Sequence, residues 1–303
     1  MTENMFAAPG QWLKGNLHLH TTASDGTVTP QEAVELYHGA GYDFLSLTDH
    51  GTVVDVTELD DLGMTLLPGV EIAPAGGELG QTVHTVGVGC GECPEDPQTG
   101  RPADQIGPLA DASEFCFIAH PAWSSLVYRD FVELPGVGGV EVYNSTCHHG
   151  IGRGWSEVQW DDCLARGAKL WGLAVDDAHH KYDDRFYGWI MLKAPDRSPE
   201  SIYEALRAGS FYASTGPTIE AIELEGDQLR VACSPCVEVF AVCPLPGRGS
   251  TTWREDVPDR PFTEQTLTVR ETINPVRIVV VDERGRRAWS QPQARQLTTA
   301  NGG

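Results

Sequence analysis

Along the first two-thirds of the chain, short apolar blocks alternate with segments of helical spacing. Seven blocks, at 16–20, 44–49, 65–72, 83–89, 115–120, 140–144 and 170–177, have the length and composition of buried strands. The first intervening helix is punctuated at both ends. Thr29 suits the N-cap, Pro30 the first helical position, and Glu32 completes a capping box. Ala33, Val34, Tyr37 and Ala40 then form an apolar face that stops at Gly41. A second such helix starts at Ser198 and Pro199, runs through Ile202, Ala205 and Leu206, and ends at Gly209. Strands alternating with helices predict parallel βα units, and a closed barrel buries all seven strands.

Beyond about Thr215 the helical spacing disappears. Short β-rich runs at 219–224, 229–233, 237–243, 266–269 and 276–282 are separated by Gly, Pro and charged turns. They predict a small antiparallel, sandwich-like domain. The expected division is a barrel over 1–214, a β-rich domain over 215–296 and a frayed polar tail over 297–303.

Charge narrows the partners. The 303 residues carry 21 basic and 43 acidic side chains, a formal net charge of −22. Wrapping a long nucleic acid, or binding anionic lipid, relies on clustered Lys and Arg and is not expected. No apolar run approaches the roughly 20 residues that span a bilayer. The start, MTENMFAAPGQW, lacks the basic and apolar regions of a signal peptide, so a cytoplasmic location is expected. Eight cysteines include two CxxC pairs, Cys90/Cys93 and Cys233/Cys236. These lie about 140 residues apart, whereas paired zinc knuckles usually keep within about 20. Reduced thiols fit that spacing better than a four-cysteine zinc site.

The histidines are concentrated at strand ends. His18 and His20 are two apart, so on a strand both face one side, and Asp25 follows in the next loop. His50 ends the second block, Glu71 the third and His120 the fifth, while His84 lies on the fourth. Asp177 and His179 follow the seventh. Burying six imidazoles and three carboxylates without a shared cation would cost several kcal/mol for each unpartnered group, so the pattern points to a cluster of divalent ions. Mixed nitrogen and oxygen ligands suit Mn, Fe or Zn. No G-x-S-x-G elbow, P-loop or G-x-G-x-x-G accompanies them. Cys147 beside His148 is not a nucleophile pair, since adjacent side chains on a strand diverge.

H-x-H, T-D-H, a Glu after Pro-Gly, two isolated His and a final D-x-H together resemble the PHP (polymerase and histidinol phosphatase) superfamily over roughly residues 12–210. The resemblance implies an α/β fold, a distorted (β/α)7 TIM-like barrel with a C-terminal β-rich domain. It implies that His18, His20, Glu71 and Asp177 hold one ion. Glu71, as a bridge, holds a second with His84 and His120, and Asp25, His50 and His179 hold a third. Catalysis is then expected to run through Glu71, Asp177 and His179. KGNLHLHTTASDG, VEVYNST, WGLAVDDAHH, GSFYASTGP and AWSQP further resemble the carbaryl-hydrolase-like branch, with Gln291 where that branch usually has Asn.

What these likenesses imply is a metal-dependent hydrolase, foremost a phosphoesterase acting on a small, anionic phosphorylated metabolite. Three divalent ions with three carboxylates and a hydroxide leave about two positive charges in the pocket; two ions leave about none. A neutral carbamate, ester or amide is the alternative substrate, and a non-catalytic metal-stabilised module a third reading. Tyr143, Asn144, His148, His149 and His180 are candidates for substrate contact or leaving-group protonation. Arg153, Lys181 and Arg185 are candidate phosphate grips. Asp49 and Asp176, next to proposed ligands, are candidates for orienting imidazoles. Oligomeric state is not legible.

Overall fold

The computed structural model describes residues 5–94, 101–245, 249–251, 261–270 and 275–293. The predicted tail at 297–303 lies outside them. The chain divides into two compact units, Pro9–Ala213 and a second that joins the N-terminal residues to those from Ser214 onward.

In the first unit the strands are β1 (Gln11–Asn16), β2 (Phe44–Leu47), β3 (Thr65–Ile72), β4 (Thr85–Val88), β5 (Phe115–Ile118), β6 (Gly139–Asn144), β7 (Trp171–Val175), β8 (Trp189–Ala194) and β9 (Phe211–Ser214). The helices are α1 (Pro30–Gly39), α2 (Pro102–Ala112), α3 (Tyr128–Phe131), α4 (Ser145–Ile151), α5 (Glu157–Ala165) and α6 (Pro199–Ala208). The strands join one mixed sheet in the order β9-β8-β1-β2-β3-β4-β5-β6-β7.

The all-parallel expectation is corrected here. β1/β2, β2/β3, β5/β6 and β6/β7 pair in parallel, but β4 is antiparallel to both β3 and β5, and β8 is antiparallel to β1. The reversal at β4 follows from its connection: no helix is described between β3 and β4, so the chain turns back beside β3. β8 and β9 are also additional to the seven predicted blocks. The first strand lies earlier than expected, at Gln11–Asn16 instead of 16–20, so His18 and His20 follow it.

The two ends of the β1–β7 series approach each other. Leu19 and Ala178 form a parallel bridge, Asp177 N donates to His18 O at 2.8 Å, and His20 N donates to Ala178 O at 2.9 Å. Beneath them, Leu13, Leu17, Phe44, Leu67, Val86, Phe117, Leu173, Val175, Ile190 and Leu192 pack into one core with Ile202 and Leu206 of α6. Gly15 is required by this packing, because a Cβ there would sit 2.1 Å from the Phe44 ring. α1 buries Ala33, Val34 and Tyr37 against Leu45 and Leu47, a separate cluster. Its cap is the predicted box: Thr29 N donates to Glu32 Oε2 at 2.7 Å, and Glu32 N to Thr29 Oγ1 at 3.2 Å.

The second unit contains β10 (Ile219–Glu225), β11 (Gln228–Cys236), β12 (Glu238–Val242), β13 (Gly249–Thr251), β14 (Phe262–Thr268), β15 (Arg277–Val281) and β16 (Arg287–Trp289). They form two antiparallel groups, β10-β11-β14 and β13-β12-β15-β16. Buried positions alternate along β11 and β12, as expected of sheets with one covered face. All eight cysteines are free. Among the described residues, no helix is long and apolar enough to cross a membrane.

Candidate metal centre

The ends of six strands converge on one cluster. β1 leads into His18 and His20, β2 into His50, β5 into His120 and β7 into Asp177 and His179, while Glu71 sits near the end of β3. His84 comes from the opposite direction, just before β4 begins. Because β4 is antiparallel to β3, its start lies beside the end of β3, and His84 Nδ1 is 2.8 Å from Glu71 Oε1.

Glu71 is the hub. Its Oε2 lies 3.3 Å from His18 Nε2, 3.2 Å from His20 Nε2 and 3.0 Å from His50 Nδ1; its Oε1 lies 3.4 Å from His120 Nε2. Asp177 Oδ1 is 3.3 Å from His18 Nε2 and 3.0 Å from His20 Nε2. Asp25 Oδ1 is 3.3 Å from His179 Nε2, 3.8 Å from His50 Nε2 and 3.9 Å from His20 Nδ1. All nine side chains singled out in the sequence are thus gathered in one place.

Three groups have ligand atoms within 4.8 Å of one another: His18, His20, Glu71 and Asp177; His50, Glu71 and His84; and His20, Asp25, His50 and His179. The first has the membership the sequence resemblance implies. The second contains His50 where His120 was expected, and the third adds His20. None of the groups includes a cysteine.

The buried polar atoms fit divalent ions. His18 Nδ1 lies 2.6 Å from Glu141 Oε1, so donation to that carboxylate leaves a lone pair on His18 Nε2. That nitrogen is 3.1 Å from His20 Nε2 and faces two carboxylates. His179 Nδ1 donates to the Asp177 carbonyl at 2.9 Å, which likewise leaves Nε2 free to ligate. His20 Nδ1, Glu71 Oε2 and Asp177 Oδ1 are buried without a hydrogen-bond partner, although ring nitrogens lie at ion-pair distance from both oxygens. Orphaned acceptors turned toward one another repel unless a cation lies between them.

The same imbalance governs proton affinity. Burial disfavours a charged His18, yet Asp177, Glu71 and Glu141 around it raise its pKa well above the ordinary value. Burial likewise opposes a charged His20, but Asp177 and Glu71 lift it to about 9. Burial alone would raise Glu71, whereas His18, His84 and His120 hold it well below the usual carboxylate range. Asp177 is depressed in the same way, mainly by His18 and His20 against the effect of burial. The buried carboxylates demand positive charge, and a buried cluster of His, Asp and Glu fits a multi-metal site. Backbone strain accompanies it, since His120 and Asp177 are non-glycine residues at φ 28° and 54°.

Glu141 was not singled out by the sequence reading. It is fully buried on β6; its Oε2 accepts from His120 N at 2.7 Å and from Asn144 Nδ2 at 2.8 Å. An acid between two valines of a buried strand was the available signal. Asn144 also donates to Asp177 Oδ2 at 3.1 Å, and its Oδ1 caps α4. It braces the acids from behind rather than lining the cavity.

Asp49 and Asp176 hold backbone, not imidazoles. Asp49 accepts from Thr21 N and Oγ1 and from Ser24 Oγ, fixing the loop after His20. Burial raises Asp176 to about 6 despite four donors: Tyr37 Oη and Phe186 N on Oδ2, and Tyr187 N and Gly188 N on Oδ1. In Asp176→Asn, whichever atom becomes the amide nitrogen faces two donors. The expected loss is about 1–3 kcal/mol, read as a lower denaturant midpoint with unchanged m-value.

A cavity of about 380 Å³ opens over the cluster, lined by Asp25, His50, Glu71, His84, His120, Asp177 and His179 on the metal side. Trp123, Ile151 and Tyr182 line it too, with Thr146, Cys147, Gly150 and Lys181. Of the candidate substrate contacts, Lys181 alone is on this wall. Tyr143 is buried against His148 and Trp155. His148 Nδ1 accepts from Trp155 Nε1 at 3.1 Å, and His149 packs on Tyr187 with ring centroids 4.4 Å apart. Arg153 is exposed, and Arg153, His180 and Arg185 do not line the cavity.

No protein-family model matches the chain. It is 37% identical over 79 residues to a 5'-3' exoribonuclease of Haemophilus influenzae, covering 25% of this chain and 28% of that protein. It is 35% identical over 81 residues to a phosphoribosyl 1,2-cyclic phosphate 1,2-diphosphodiesterase of Eggerthella lenta, covering 25% of this chain and 31% of the relative. The matches therefore span less than a third of each curated relative. Among solved structures, a Bacteroides vulgatus two-domain protein, described as containing a predicted PHP-like metal-dependent phosphoesterase, aligns with 94% of this chain and 88% of its own. The TM-score is 0.52 at 18% identity. The chain thus shares a mixed α/β fold, with a large sheet and a second smaller one, with a PHP-like structural neighbour.

Proposed function

We propose that the protein is a PHP-type metal-dependent phosphoesterase acting on a small phosphorylated metabolite. The observation that carries this reading is the meeting of His18, His20, Glu71 and Asp177 in a buried group in which one oxygen of each carboxylate, Glu71 Oε2 and Asp177 Oδ1, has no hydrogen-bond partner. The phosphodiester named for the Eggerthella lenta relative and the phosphoesterase named for the structural neighbour agree with it. The strand series of the first unit is read as a distorted barrel. The division at 214/215 is read as a hydrolase module followed by a β-rich domain that contains no histidine.

Divalent ions such as Mn, Fe or Zn would supply an activated water at neutral pH and neutralise charge on the phosphoryl oxygens. His18, His20, Glu71 and Asp177 would hold one; Glu71 would share a second with His84 and His120; Asp25, His50 and His179 would hold a third, since a neutral imidazole offers one lone pair to one ion. Glu141 fixes the ring and tautomer of His18, and Asn144 keeps Asp177 in place. Trp123, Ile151 and Tyr182 give the cavity an apolar outer wall beside the cluster.

Mn-, Fe- or Zn-dependent release of phosphate, or of p-nitrophenol from its phosphate mono- and diesters, is the expected result. No turnover with any of these ions across a broad phosphate panel would overturn the reading. Chelation is expected to abolish that turnover and to lower Tm by about 5–15 °C, because the buried carboxylates lose their counter-ions. Re-addition of the ion should restore both.

A second reading, hydrolysis of a neutral ester, carbamate or amide, is favoured by one feature. Lys181 is the only Lys or Arg among the described residues lining the cavity, and Asp25 already engages it. Turnover of aryl carbamates or esters without turnover of phosphates would select this reading.

A further inference from the structure

Asp25 has two oxygens with two different tasks. Oδ1 points at His179, His50 and His20, whereas Oδ2 accepts from Lys181 Nζ at 2.9 Å. His20 Nδ1, on a fully buried ring, has no hydrogen-bond partner and lies 3.9 Å from Asp25 Oδ1. An open ligand atom that marks this outer position independently of the acid is His179 Nε2, since His179 Nδ1 donates to the Asp177 carbonyl. Both members of the ion pair are about half exposed, unlike His18, Glu71 and Asp177.

We infer that Lys181 is a tethered competitor for the outermost cation. Its ammonium partly satisfies Asp25, so an ion bound by Asp25, His50 and His179 is held more weakly than the inner ones. The inference rests on the metal-centre reading. Two effects of Lys181 oppose each other. It orients Asp25, which aids ligation, but an exposed pair of this kind is weak. It also places a unit positive charge within a few ångströms of a divalent ion, and that repulsion outweighs the orienting effect even at high effective dielectric. Filling the outer position draws Asp25 toward its ion and frees Lys181, which already lines the cavity, to meet an anionic group there. Lys181 is a positioning residue in this account, and the outer ion exchanges more readily than the others.

The test is calorimetric titration of Mn²⁺ into chelator-stripped full-length protein, with melting temperature as a control for folding. Lys181→Met should bind the weakest ion at least about fivefold more tightly, or bind one more ion than the wild type if the wild type takes only two. Lys181→Arg should keep the wild-type isotherm, and Asp25→Asn should lose the weakest ion while keeping the tighter ones. An unchanged or weaker last ion in Lys181→Met overturns the inference, as does an Asp25→Asn isotherm identical to the wild type. The readout is binding, so a shifted isotherm in a protein that hydrolyses nothing would sustain this inference while removing the phosphoesterase. Absence of Mn²⁺ binding in every variant would remove the inference, and phosphate turnover with Fe or Zn would then decide the phosphoesterase reading separately.

Discussion

Glu71→Gln is expected to lower turnover by at least about a thousandfold and to leave the purified protein with fewer ions per chain. The size follows from the position. Both Glu71 oxygens are in use, Oε2 beside His18, His20 and His50, Oε1 beside His84 and His120. Gln has the same shape but only one acceptor atom, so one of the two neighbouring positions loses its carboxylate oxygen. The neutral amide also leaves the imidazoles without their central negative charge. Steady-state kinetics together with elemental analysis check this; full metal content with turnover within tenfold of wild type would show that Glu71 does not bridge.

Glu141→Gln comes next in expected effect, although Glu141 does not line the cavity. Its Oε2 receives two donors, His120 N and Asn144 Nδ2, and its Oε1 faces His18 Nδ1. If Gln places its oxygen toward the two donors, its NH2 faces His18 Nδ1. That nitrogen must then accept, so the proton moves to Nε2, the atom directed at Glu71 and Asp177. If Gln flips, its NH2 meets two donors instead. The first orientation removes His18 as a ligand and the second leaves His120 N and Asn144 Nδ2 facing an amide, so about a 10- to 100-fold loss of ion affinity is expected, as for other groups that orient a ligating histidine. Competitive titration against a metal indicator measures it, and Glu141→Asp should recover part of the loss.

Much of this arrangement was legible because the relevant signals are local. Thr29, Pro30 and Glu32 delimit α1 by short-range hydrogen bonding. His or acid at successive strand ends suggested convergence, since strands of one sheet bring their ends together whatever the loops do. Strand direction was not local. The reversal of β4 depends on a connection without a helix, and it is why His84 precedes its strand. Glu141 lay hidden in GVEVYN, where the apolar run suggested packing alone and gave no sign of the His18 ring beyond it. The roles of Asp49 and Asp176 were equally unreadable, because their donors come from loops folded back by tertiary contacts. The cavity wall is set by α4 and the 178–188 segment, whose left-handed His180 and Phe186 carry no composition cue.

Diffraction from a crystal of the metal-loaded protein, collected on both sides of the absorption edge of the bound element, tests the central claim most directly. The account predicts two or three anomalous peaks enclosed by His18, His20, Asp25, His50, Glu71, His84, His120, Asp177 and His179, one of them touching Glu71 and Asp177 together. Fully loaded crystals whose peaks lie elsewhere, or with no peak among these nine side chains, would contradict it.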